Sequence, residues 1–249
     1  MNSNENDVMF SMTEHNPFTG RIGEDYGFLS IMCPNVVTLT RNLGSAIAAW
    51  QPDTALQGLE IGCGTGLSTL SLLSQRENLH LRAFDASPVM LEQARENLAE
   101  YINAGRVEFI ESDALDFLQQ QPDASIDIVA SNYTIHNFLH DYRDKVFAEI
   151  LRVLRPGGLF ANGDRFAMDD RAQHLASTQA DVRHWFKAFT ELERQDLLED
   201  WIVHLLSDES PEHIMYSSTT LSTMRSLGFA DVRSSYREGV DMLVTATKP

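Results

Sequence analysis

Leu59-Glu60-Ile61-Gly62-Cys63-Gly64-Thr65-Gly66 decides how this chain is read. Apolar residues lead into it at Ala55, Leu56, Leu59 and Ile61, in the manner of a buried strand. Glycines then stand at alternate positions, and an apolar helical pattern follows at Leu67, Leu70, Leu72 and Leu73. Glycine at a strand-to-helix turn lets the backbone take positive φ and approach a ligand closely. The helix start behind it presents free N–H groups to that ligand. These are the parts of a nucleotide-type cofactor site.

The spacing is G-x-G-x-G, whereas the dinucleotide fingerprint places its third glycine after two intervening residues. Glu60, just ahead of the glycines, would repel a pyrophosphate and attract a cationic ligand end. Downstream, Leu81–Asp85 predicts a second strand ending in an acid, at the distance where a βαβ unit sets an acid against a ribose diol. Ser87 and Pro88 have the character of an N-cap and first helical residue, with Met90, Leu91, Ala94, Leu98 and Tyr101 as the buried face.

With these residues the chain resembles the class I S-adenosylmethionine (SAM)-dependent methyltransferases, over residues 55–249. Leu59–Gly66 matches their glycine-rich loop and Asp85 their ribose-binding acid. Glu111-Ser112-Asp113-Ala114 matches the third-strand segment whose acid faces the adenine. Asp127–Asn132 matches the fourth strand, and Leu154-Arg155-Pro156-Gly157-Gly158 the turn before the fifth. The resemblance implies an α/β, Rossmann-like fold: a seven-stranded, mostly parallel sheet with an antiparallel last strand, a helical N-terminal segment and a helical lid insertion. It implies S-adenosyl-L-methionine as cofactor. The residues it assigns to cofactor binding are Tyr26, Glu60, Gly62, Cys63, Gly64, Gly66, Asp85, Ala86, Ser87, Asp113, Ala114 and Asn132.

Composition agrees with such a fold. A chain of 249 residues, 43% hydrophobic, can bury one sizeable core and an inserted subdomain. A formal charge of −17 argues against nucleic acid as partner and favours a small-molecule substrate. No stretch approaches the ~18 continuous apolar residues of a membrane helix. The start lacks a basic segment followed by an apolar run, so no secretory signal is expected. Cys33 and Cys63 suggest no disulfide framework, which fits a cytoplasmic protein. A homodimer is compatible with all of this.

Four segments are expected. Residues 1–50 form an N-terminal helical cap, in which Phe10 and Met12 can dock over a ligand. Residues 51–166 alternate strand and helix patterns, and with 216–249 (helix Ser217–Leu227, a C-cap at Gly228, and a closing hairpin) make the core. Residues 167–215 carry long helical patterns that suit a lid over the acceptor site, since ligands of open α/β sheets bind beyond the carboxyl ends of the strands.

Methyl transfer from SAM needs nucleophile, carbon and sulfur in line, so positioning and water exclusion supply the rate. The residues after the fourth strand are expected to edge that centre. Tyr133, His136 and Asn137 are the catalytic candidates; His136, titrating near neutrality, is the candidate base, and Asn132 with Tyr133 can direct a carbonyl or hydroxyl. Asp164 and Arg165 either contact the acceptor or pair with each other. His184, Trp185, Trp201 and His204 fall in the lid, the tryptophans as core or as a cation–π face. Asp164, Asp169 and Asp170 raise a magnesium site of the catechol-methylating type, but the fourth strand ends in Asn132, and no metal is expected.

A closer resemblance is to the branch containing carboxy-SAM synthase, through Asn132-Tyr133-Thr134, Phe138-Leu139, Arg165-Phe166, Asp169-Asp170, Phe186-Lys187 and Leu206-Ser207-Asp208. That enzyme holds a carboxylate with a lid arginine; here the expected helix Glu191–Val203 offers Arg194, while the matching position falls on Asp196. Small-molecule O- or N-methyl transfer is therefore the leading reading. The alternatives are an enzyme that modifies or cyclises SAM itself, giving azetidine-2-carboxylate and methylthioadenosine, and a catalytically idle SAM-binding partner subunit.

Overall fold

The computed structural model describes residues 32–249. Tyr26, Phe10 and Met12 lie outside the described residues. Helix α1 (Val36–Ala49) buries Val36, Leu39, Leu43 and Ile47, a spacing that keeps one face on the sheet. Strand β1 (Leu56–Ile61) follows, then α2 (Leu67–Gln75), β2 (Leu79–Asp85), α3 (Pro88–Asn97), α4 (Ala99–Asn103), β3 (Val107–Glu111), α5 (Ala114–Gln119) and β4 (Ile126–Asn132). A 3-10 turn (Ile135–Asn137) leads to α6 (His140–Val153) and β5 (Leu154–Arg165). Helices α7 (Arg171–Glu191) and α8 (Gln195–Asp208) leave the sheet, and α9 (Ser217–Leu227), β6 (Ala230–Glu238) and β7 (Asp241–Thr247) complete it.

The seven strands run in the order β3-β2-β1-β4-β5-β7-β6. β1 to β5 are parallel neighbours, and β7 runs antiparallel to both β5 and β6. Two apolar layers sandwich the sheet. One includes Leu39, Leu43, Leu72, Leu91, Ile128 and Leu243, and extends to Trp185, Phe189 and Trp201 of the inserted helices. The other includes Ile61, Phe84, Phe117, Phe147, Phe160 and Met224. The chain reverses between β1 and β4 in sheet order, so the carboxyl ends of those two strands flank a crevice.

Three local expectations are corrected. Leu67 and Leu70 are each 43% exposed, and α2 instead buries Ser68 and Thr69 with Leu72 and Leu73. The cause is Glu60, which lies fully inside and turns those hydroxyls inward. The helix begun at Pro88 does not run unbroken through Tyr101: it stops at Leu98, whose φ is −117°, and a short turn follows. The expected helix Glu191–Val203 is interrupted, because Glu193 takes a φ of 55° and α8 starts at Gln195.

The α7–α8 insertion is stitched at its base. The Ala167 N–H donates to the Met215 carbonyl at 2.8 Å, and the Ser217 N–H donates back to the Ala167 carbonyl at 3.1 Å.

Candidate active site

The loop between β1 and α2 has left-handed backbone at Gly62, Gly64 and Gly66, with φ of 66°, 53° and 88°. At Gly62 the requirement is also steric, since a Cβ there would meet Thr134 at 2.2 Å. The loop is tied to the end of β2: the Gly62 and Cys63 N–H groups donate to the Phe84 carbonyl, at 2.9 and 3.2 Å. Asp85 Oδ2 accepts the Gly64 N–H, and Oδ1 accepts the Ser87 N–H, both at 2.9 Å. Burial holds the Asp85 carboxyl above its ordinary value, although these amides oppose the rise. Ser87 caps α3 by accepting the Met90 N–H at 3.4 Å, while Ala86 is exposed beside it.

Glu60 is 0% exposed and accepts hydrogen bonds from Ser68 Oγ and Thr69 Oγ1, each at 2.6 Å. Burial pushes it up to about 7 despite those donors. Its position locks the loop onto α2. Asp113 is exposed and caps α5, accepting the Leu115 N–H at 2.9 Å and the Asp116 N–H at 3.2 Å, with Ala114 buried behind it.

The segment after β4 supplies the rest. Asn132 Nδ2 donates to Thr40 Oγ1 at 2.9 Å, and its buried Oδ1 has no partner among the described residues. Tyr133 takes a φ of 49°, and its hydroxyl donates to Asp241 Oδ1 at 2.9 Å. A left-handed, buried aromatic residue stores strain of the kind found at functional turns. Asn137 Nδ2 donates to the Thr134 carbonyl at 3.2 Å, and its Oδ1 is buried without a partner among the described residues.

His136 is buried, with Nδ1 2.6 Å from Asp164 Oδ1. The His136 backbone N–H also donates to Asp164 Oδ2, at 3.2 Å. Burial works to lower the His136 pKa, but the Asp164 and Asp208 carboxylates outweigh it and leave the ring above its ordinary value. With Nδ1 held by Asp164, Nε2 faces Asp208 of α8 at 3.8 Å, and His204 Nε2 stands 3.6 Å from the same oxygen. Burial lowers the His204 pKa, with Asp208 opposing.

Asp164 and Arg165 do not pair through their side chains. Arg165 Nη2 donates to Glu209 Oε1 at 2.7 Å, and Glu209 Oε2 lies 2.7 Å from His174 Nε2. Asp169 binds Ser217 and Ser218, and Asp170 caps α7, so neither stands with Asp164. Trp185 is core, and its Nε1–H donates to the Met32 carbonyl at 2.9 Å. Trp201 is buried 5.6 Å, ring to ring, from His204. Arg194 is bound by Asp196 through two contacts, at 3.0 and 3.1 Å.

Sequence reasoning passed over Asp241 and Thr40, and named His204 and Asp208 without placing them beside His136. The available signal was the i, i+4 spacing of His204 and Asp208, which sets both on one helix face.

Residues 59–158 match the family described as "Methyltransferase domain". Demethylmenaquinone methyltransferase of Leptospira interrogans serogroup Icterohaemorrhagiae serovar copenhageni is 37% identical over 109 residues, covering 44% of this chain and 43% of that protein. Carboxy-S-adenosyl-L-methionine synthase of Photorhabdus laumondii is 30% identical over 139 residues, covering 54% of this chain and 53% of that protein. The chain spans about half the length of the curated relatives it matches. An O-methyltransferase family protein from Burkholderia thailandensis shares the fold, with a TM-score of 0.63 at 17% identity over 92% of this chain and 60% of that one. The domain match, the sheet order and the glycine loop together make residues 59–158 a methyltransferase domain of the class I, SAM-dependent kind, whose cofactor is S-adenosyl-L-methionine.

Proposed function

We propose that this protein transfers a methyl group from SAM to a small molecule, with the cofactor on the Gly62–Gly66 loop and the acceptor between the β4 turn and the α7–α8 insertion. The observation that carries this is the coupling of Asp85 to Gly64 through a 2.9 Å hydrogen bond, which makes the loop and the ribose-type acid one unit. A further feature suits SAM: the buried Asn132 Oδ1, without a partner among the described residues, offers an acceptor to an ammonium group.

When bound, SAM supplies an electrophilic methyl group on a sulfonium. The chain's own part is binding, orientation and proton handling. Asp85 receives the ribose, with two of its lone pairs already occupied by the Gly64 and Ser87 amides. His136 takes a proton at Nε2 from an oxygen or nitrogen acceptor, and Asp164 holds the ring's orientation and stabilises the imidazolium. Tyr133 shapes the turn, its hydroxyl committed to Asp241. The formal charge of −17 supports an acceptor other than nucleic acid. No helix among the described residues is long and apolar enough to cross a membrane.

A second reading has the protein modify SAM itself. It is favoured by the likeness to carboxy-SAM synthase, which covers 54% of this chain against 44% for the demethylmenaquinone methyltransferase. The Arg194–Asp196 pair weighs against a carboxylated product, because the candidate arginine is already engaged. Incubation with SAM alone, followed by mass spectrometry, separates the readings. Intact, protein-bound SAM is expected; methylthioadenosine formed without an acceptor would overturn methyl transfer.

A further inference from the structure

The His136, His204 and Asp208 side chains converge where α8 meets the β4 turn, with one ligating atom from each within 4.8 Å of the others. This donor set shares no residue with the three aspartates considered in the sequence, of which Asp169 and Asp170 are engaged with Ser217, Ser218 and the start of α7. We propose that His136 Nε2, His204 Nε2 and Asp208 Oδ2 form a binding site for a divalent transition-metal ion of the zinc class.

Four observations carry it. First, the separations suit a shared ion. Asp208 Oδ2 is 3.8 Å from His136 Nε2 and 3.6 Å from His204 Nε2, longer than direct hydrogen bonds. Tetrahedral ligands at zinc stand about 3.3 Å apart, given metal–ligand bonds of about 2.0–2.1 Å. A contraction of about 0.3–0.5 Å would bring Asp208 Oδ2 to that spacing from both histidines.

Second, the donors are almost enclosed, with side-chain exposures of 10% for His136 and 9% for each of the others. Two imidazoles and one carboxylate are borderline donors that favour zinc-like ions over magnesium. Third, Asp164 is 0% exposed and sits 2.6 Å from His136 Nδ1. A carboxylate on the remote nitrogen of a ligating histidine fixes the tautomer and frees Nε2 for the metal. Fourth, His204 and Asp208 are spaced i, i+4 on α8, so one helix face delivers two ligands while the core delivers the third. Three protein ligands leave a coordination position for water or for an oxygen of a second substrate.

A metal on His136 Nε2 would displace the proton-accepting role proposed above for that atom and leave the rest of the methyl-transfer reading in place; the site is tested without SAM, so each can fail alone. The tag-free full chain, stripped with chelator, is titrated with Co²⁺ as a spectroscopic stand-in for Zn²⁺. One equivalent bound with the visible bands of a four- or five-coordinate site is expected, and Zn²⁺ should displace it. His204→Gln and Asp208→Asn should each abolish stoichiometric binding, with thermal unfolding confirming that each variant folds. Asp164→Asn should weaken binding 10- to 100-fold, the range typical of partners behind a ligand. Absence of stoichiometric binding to the unaltered chain, or binding that survives both His204→Gln and Asp208→Asn, overturns the site. The three side chains would then be an ordinary polar contact between α8 and the β4 turn.

Discussion

The Tyr133 hydroxyl donates to Asp241 Oδ1 at 2.9 Å across 108 positions of sequence. The bond joins the residue after β4 to the first residue of β7, and Asn35 Nδ2 donates to the other carboxylate oxygen at 3.0 Å. Burial and the Asp241 charge push the Tyr133 phenol far above its ordinary value, so it remains a donor throughout the physiological range. Tyr133→Phe should therefore leave a buried carboxylate one donor short. The expected loss is about 1–3 kcal/mol of folding stability, read from urea unfolding. An unchanged midpoint would show that the bond contributes nothing net.

Gly62 and Gly105 form a matched pair for dissecting the loop. Their φ values are 66° and 67°, but a Cβ at Gly105 meets nothing within 4 Å, while one at Gly62 strikes Thr134 at 2.2 Å. Gly105→Ala should cost the left-handed penalty alone, about 1–2 kcal/mol. Gly62→Ala should add overpacking of about 1–3 kcal/mol and also lose SAM affinity. Equal thermal shifts in the two variants would refute the steric argument.

Asp85→Ala should weaken SAM binding on the order of 2–4 kcal/mol, by removing charge-assisted hydrogen bonds to the ribose and releasing the Gly64 N–H. Calorimetry decides it: affinity within twofold of the unaltered protein would place the ribose elsewhere.

Glu60 should leave a signature in the pH dependence of stability. Its carboxyl rises from 4.5 to about 7 on folding, chiefly through burial. The folded protein thus holds a proton that the unfolded chain releases between these values, and stability falls as pH rises through that window. The contribution is present in full below pH 4.5 and is lost above about 7, amounting to about 3 kcal/mol. Glu60→Gln should flatten that part of the curve. Superimposable pH profiles for the two proteins would count against the buried, protonated carboxyl.

Much of this was legible in the sequence, and the exceptions share a cause. The Leu59–Gly66 stretch, the strand ending at Asp85 and the Gly228 cap (φ 113°) each announce themselves through neighbours a few residues away. Leu67 and Leu70 misled, because a polar pair, Ser68 and Thr69, is drawn inward by a buried acid that periodicity does not weigh. Leu98 breaks its helix while filling the space beside Gly66, where a Cβ would meet its Cδ1 at 2.2 Å. Asp241 reaches Tyr133, and Asp208 reaches His136, only through the sheet order and the return of α8. Such pairings depend on where whole elements dock, and no spacing along the chain encodes them.

The two hydrogen bonds that Ala167 makes with Met215 and Ser217 have a bearing on how this enzyme type diversifies. They bring the two ends of a long excursion side by side, so the strands before and after it meet in the same register whatever its length. A different helical hairpin over residues 171–214 would change what sits above the cofactor loop, provided that it returned to the sheet the apolar cover now given by Trp185, Phe189 and Trp201.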